Sequence, residues 1–180
     1  MRRKLFIVPL MFMLLAGCVP ASGDCDAKAV ILDQSFFPGE VSADPLESPI
    51  HDAPPESAER LIYIKTNLST DTVQQDVMNF GSIYLASDFF KNREKQLFRT
   101  DVDRGPWETP EELAGLDLVV DESHLACGIV LSSKTCRWVA RYAGYYVYLR
   151  SDISESGMTV KVFGDAVKEI DARMDKCLAK

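Results

Sequence analysis

Residues able to do chemistry are few in this 180-residue chain, and most of them are separated from any partner. His51 stands among prolines. His124 follows Asp121-Glu122-Ser123, and in a strand Glu122 and His124 would point the same way, setting an acid beside a base. Ser123 would then face the opposite side, and no other serine or thiol is tied to the pair by spacing. No catalytic residue is therefore assigned, and His124 reads as a solvated loop histidine. Asp101, Asp103 and Glu112 occupy the first, third and twelfth places of a twelve-residue calcium loop. The match fails at Gly105, where the fifth ligand belongs, and at Pro106, which replaces the turn glycine. No C-x-x-C spacing exists for zinc and the two histidines lie far apart. The chain is expected to need neither metal nor cofactor.

The five cysteines carry more information. Cys18 follows Arg2, Arg3, Lys4 and an apolar run over residues 5–15. Eleven residues span about 17 Å as a helix, too short for a hydrocarbon core of about 30 Å, so the run reads as an export signal. The residues Leu15-Ala16-Gly17-Cys18 resemble the lipobox of bacterial lipoprotein precursors. That resemblance implies removal of residues 1–17, lipidation of Cys18 through a diacylglycerol thioether and acylation of the new amine. Two or three acyl chains hold a protein on a bilayer durably, where a single chain holds it only marginally. Val19 follows the cysteine, and by the same resemblance the lack of aspartate there favours the outer membrane if the envelope is Gram-negative.

Loss of residues 1–17 removes three positive charges, so a formal charge of −7 becomes −10. Nucleic acid is thereby a poor partner. Cys25, Cys127, Cys136 and Cys177 remain, and four cysteines in an exported chain read as two disulfides with three possible pairings. Cys127 with Cys136, bracketing the turn-like Ser132-Ser133-Lys134-Thr135, and Cys25 with Cys177 are the expected ones.

These residues need elements to hold them. Residues 18–59 hold six prolines, from Pro20 to Pro55, and read as a lipidated N-terminus and tether. Within it Ala29-Val30-Ile31-Leu32 and Phe36-Phe37 are too apolar to dangle and should dock as a strand or clamp. The region 60–180 is then a single α+β domain. Residues 61–65 read as a strand. Val73, Val77, Phe80 and Tyr84 recur at helical steps, predicting a helix over 70–91. Thr109-Pro110-Glu111-Glu112 predicts a capping box opening a short helix to Ala114. Residues 116–120 and 128–131 read as strands. Val160, Phe163, Val167, Ile170, Met174 and Leu178 predict a helix over 160–178, capped by Thr159.

The run from Arg137 to Arg150 predicts a hairpin turning at Ala143-Gly144. Tyr142 then pairs with Tyr145, Arg141 with Tyr146, Val139 with Tyr148 and Arg137 with Arg150. One face collects Trp138, Ala140, Tyr142, Tyr145, Val147 and Leu149; the other collects Arg137, Val139, Arg141, Tyr146, Tyr148 and Arg150. Arginine and tyrosine are enriched in binding hot spots, so Arg137, Arg141, Tyr146, Tyr148 and Arg150 form the candidate binding face. The expected architecture is an antiparallel sheet with two long helices packed on one face, braced by disulfides. Two functions fit: a membrane-anchored, non-enzymatic binding or assembly accessory with a protein or cell-wall partner, or an envelope hydrolase.

Overall fold

The computed structural model describes residues 25–46, 53–67, 69–101 and 104–179. The lipobox-like residues 15–18, His51 and Asp103 lie outside them. The described chain is α+β: one six-stranded, wholly antiparallel sheet, three helices and two disulfides. The strands are β1 (Glu40–Ala43), β2 (Ala58–Lys65), β3 (Thr70–Asn79), β4 (Glu122–Val130), β5 (Ser133–Tyr142) and β6 (Tyr145–Asp152), in the spatial order β1-β2-β3-β6-β5-β4. The helices are α1 (Ala27–Val30), α2 (Ile83–Leu97) and α3 (Val160–Leu178).

The hairpin holds its expected register. Tyr142 pairs with Tyr145, Arg141 with Tyr146, Val139 with Tyr148, and Arg137 with Arg150. Its apolar face packs on α3, where Phe163, Val167, Ile170 and Met174 are buried against Trp138, Val147 and Leu149. Helix α3 spans the expected residues, and the Thr159 side chain caps it by accepting from the Val162 amide.

The two longer helices do not share a face. Helix α2 lies on the other side of the sheet, with Phe89, Phe90 and Leu97 packed among Met78, Val139, Tyr146 and Tyr148. The cause is local: the expected helix over 70–91 is a strand followed by a later helix. Thr70, Thr72, Val73 and Val77 favour extended backbone. The four-residue step from Val73 to Val77 satisfies a period of two as well as a helical one, and Asp71, Val73, Gln75 and Val77 are all buried on the α3 side. Strands β2 and β6 pair with β3 along both edges. The chain then turns at Gly81, whose φ of +60° suits glycine, and Ser82 caps α2.

Three further expectations change. Residues 116–120 form no strand: Leu116, Leu118 and Val120 alternate inward, but onto α3 rather than onto a sheet neighbour. Asp171 of α3 holds that segment by accepting from the Val119 amide at 3.0 Å. The capping box does not form either. The Thr109 hydroxyl donates to the Leu125 carbonyl at 2.8 Å, and only a single 3₁₀ turn, Glu111–Leu113, follows Pro110. Finally, the domain reaches back well before residue 60. Helix α1 and the residues after it dock as the apolar clusters demanded, though as a helical turn rather than a strand. Ala27, Val30, Leu32 and Phe37 are core residues, and buried Gln75 ties them down by accepting from the Leu32 amide and donating to the Val30 carbonyl.

Both disulfides form as expected. Cys127 and Cys136 are cross-strand neighbours on β4 and β5. Cys25 and Cys177 join the start of the described chain to the last turn of α3, across 152 residues. The outer edge of β4 is not bare. Gly105 donates to Ile129, and Glu108 and Cys127 exchange both backbone hydrogen bonds. Trp107 lies over Gly128 so closely that a Cβ there would sit 2.7 Å from the Pro106 carbonyl and 2.9 Å from the indole.

Candidate functional site

The arginine and tyrosine face of the hairpin is not an open surface. Arg137, Arg141, Tyr146 and Tyr148 are all buried, and Arg150 is half-buried. The sequence suggested exposure because nothing in the hairpin itself covers this side. The cover comes from α2, whose position depends on the turn after β3, and from Phe98 and Trp107 beyond it. Phe89 meets the Tyr146 ring edge-on at 4.9 Å between centroids.

Each arginine has its own arrangement. The Arg137 guanidinium donates to the Leu97 carbonyl and stacks 4.6 Å above the Trp107 ring. Burial lowers its pKa, and the nearby cations Arg150, Arg104 and Arg93 push the same way while Tyr148 opposes them. Arg141 forms ion pairs with Asp121 at 3.1 Å and Glu122 at 3.3 Å, and also donates to the Ala143 carbonyl. Arg150 reaches Asp152 at 3.4 Å. Acids thus neutralise two of the three arginines, Asp121 and Glu122 for Arg141 and Asp152 of the same strand for Arg150, and an aromatic ring and a carbonyl hold the third.

His124 is a strand residue rather than a loop residue. It lies on β4, stacks on Phe98 with centroids 4.0 Å apart, and its Nδ1 is 2.8 Å from Glu94 Oε1 of α2. Glu122 turns to Arg141 instead, so the two neighbours on this face serve different partners. Asp101 pairs with Arg99 at 3.2 Å. Among the described residues no three His, Cys, Asp or Glu side chains gather as a metal site would require.

The layer under α2 also contains a pair of acids that the sequence reading missed. Glu59 on β2 is the cross-strand partner of Asp76 on β3, and Asp76 in turn stands opposite Tyr148 on β6. Asp76 is 2% exposed. Burial raises its pKa to about 7, with the Glu59 charge adding to the rise. The Gln74 amide, which donates to Asp76 at 3.2 Å and to Glu59 at 3.3 Å, and the Arg93 charge from α2 both act against it. Burial likewise pushes Tyr146 well above the usual phenol value and raises Tyr148. Glu59 is half-buried and lines a shallow cleft of about 250 Å³ with Asp44, Pro45 and Leu61. The arrangement can therefore hold or release one proton near neutral pH at Asp76, next to a second carboxylate that borders solvent.

A signal for this pair existed. Read as a strand, residues 70–79 place Gln74, Asp76 and Met78 on the face of Tyr146 and Tyr148, which a helical reading scatters. No protein-family model, curated protein or solved structure matches the chain. The fold and site on their own define the class: a disulfide-braced α+β domain whose antiparallel sheet is covered on both faces.

Proposed function

We propose that this chain is a membrane-anchored envelope lipoprotein whose domain acts as a non-enzymatic binding or assembly accessory to a protein or cell-wall partner. The observation that carries the reading is the Cys25–Cys177 disulfide, which begins seven residues after the lipobox-like cysteine. Disulfides belong to oxidising, exported compartments, so the bond and the leader agree on the same address. Residues 1–17 are lost, Cys18 carries the lipid, and the tether is the stretch 18–24, shorter than composition suggested. Among the described residues no helix is long and apolar enough to cross a membrane. The binding face is not the hairpin, whose arginines are committed within the fold.

The test is intact mass spectrometry of detergent-extracted protein together with cross-linking in whole envelopes. Loss of residues 1–17, gain of lipid at Cys18 and capture of one recurring partner are expected. An unmodified Cys18 thiol in that sample would end the lipoprotein reading.

A second reading, an envelope hydrolase, is favoured by one observation. Asp76, with its pKa about 7, sits beside Glu59, and two carboxyl groups in unlike environments are what acid–base hydrolysis uses. Here the discriminating variants are Glu59→Gln and Asp76→Asn. If both fold normally, keep the partner and lose the cellular function, the hydrolase reading replaces the accessory one.

A further inference from the structure

The end of the sheet nearest the anchor can be identified from contacts around Cys25. Its carbonyl accepts from the Tyr145 hydroxyl at 3.1 Å, and Tyr145 pairs with Asn79 at the end of β3. Asn79 donates to Glu56 at 2.8 Å, and the Phe80 amide donates to the Gly144 carbonyl of the hairpin turn at 2.9 Å. From Cys25 the chain runs away from this end, since the Leu32 amide reaches Gln75, four residues back along β3. Cys25, the residue that follows the stretch 18–24, therefore lies at the β5–β6 turn end. Seven residues span at most about 25 Å fully extended. Strand β5 is ten residues long, about 33 Å, and places the β4–β5 turn with Leu131 at the far end. The tether is too short for the domain to stand inverted on that far end, with the near end lifted off the bilayer.

At the near end, three consecutive apolar side chains open α2 on the surface: Ile83 at 47%, Tyr84 at 78% and Leu85 at 52% exposure. They contribute little to the layer under α2, which uses Ala86, Phe89, Phe90 and Leu97 instead. Resting on the lipoprotein reading, we infer that this Ile83-Tyr84-Leu85 corner dips into the headgroup–acyl boundary of the membrane that holds Cys18. Tyrosine is at home there, with an apolar ring and a polar tip. The charges gathered at this end, Asp26 and Glu56 against Lys28 beside Cys25, with Asp88 on α2, are mainly acidic. The contact is thus apolar, does not need anionic lipid and resists salt.

The experiment uses the mature, acylated protein reconstituted in phosphatidylcholine vesicles with dibrominated acyl chains, which quench tryptophan on contact. The Tyr84→Trp variant should show additional emission quenched at least twofold, unchanged at high salt. The Leu131→Trp variant, equally exposed at the far end, should add emission that is not quenched. Lack of quenching in an acylated, vesicle-bound Tyr84→Trp variant overturns the inference, as does a Leu85→Cys variant that cross-links quantitatively to a second copy in the same vesicles. Mass spectrometry of Cys18 separates the failures: no acyl chain sinks the anchor and this corner together, whereas an acylated but unquenched protein sinks the corner alone.

Discussion

Glu59 faces Asp76 across the β2–β3 pair, and a single amide, that of Gln74, donates to both carboxylates. Two acids and one shared donor in a buried layer leave a proton as the simplest way to reconcile the charges. Asp76, the more buried of the two, is the one whose pKa rises to about 7.

Stability should consequently fall as pH rises from about 4 to about 7. In that window the unfolded chain has ionised Asp76 while the folded chain keeps it protonated, so the folded state binds more protons and the slope of stability against pH is negative. A carboxyl raised from its ordinary range to about 7 corresponds to a few kcal/mol, about 4 at the upper limit. Chemical denaturation at pH 5 and pH 8 checks this. Asp76→Asn should flatten the difference and stabilise the protein at pH 8, and an equally steep profile in that variant would refute the assignment.

Removing the Cys25–Cys177 disulfide should cost more than removing Cys127–Cys136. The first spans 152 residues and the second 9, for which loop entropy gives about 5 and about 3 kcal/mol. Paired Cys→Ser variants, compared by thermal melting with the parent, report the order. Alkylation of the unfolded, unreduced parent should label none of the four cysteines.

Arg141→Glu should destabilise the domain by about 2 kcal/mol or more, since it places a third acid against Asp121 and Glu122 in a buried setting. Arg150→Glu, half-exposed and with only Asp152 at 3.4 Å, should cost under about 1 kcal/mol. Urea midpoints of the two variants give the comparison, and equal losses would mean that Arg141 is not held by its acids.

Gly128→Ala should cost about 1–3 kcal/mol, because the added methyl meets the Pro106 carbonyl and the Trp107 ring. Trp107 would be displaced from Arg137 at the same time. Its fluorescence should therefore shift in the folded variant, and a parent-like spectrum with parent-like stability would contradict the packing.

Local pattern carried some of these elements plainly and others poorly. The hairpin could be read residue by residue because its turn and both faces lie within fourteen residues, and α3 because its apolar steps fit only a helix. The cysteine pairing followed from compartment and spacing. Strand β3 was obscured because the step from Val73 to Val77 satisfies two periods and the further step to Phe80 tips the pattern toward a helix, while the actual choice is made by β2 and β6, which supply hydrogen bonds from distant sequence. That one element then decided the rest. With β3 misread, α2 was set on the wrong face, the hairpin arginines looked open, and Asp76 never met Glu59 or Tyr148. Residues 116–120 misled for a related reason: alternation reports that one side is buried, not whether a strand or a helix buries it.

The bond between Cys25 and Cys177 also determines how the domain answers to force. A pull applied before Cys25 and resisted at the C-terminal helix enters at Cys25 and leaves at Cys177 through a covalent link, so almost none of the load crosses the strands between them. Tension that would unzip an ordinary sheet from its first strand instead leaves six strands and their hydrogen bonds slack. A domain loaded between these two points is shielded from that force for as long as the sulfur bridge remains oxidised.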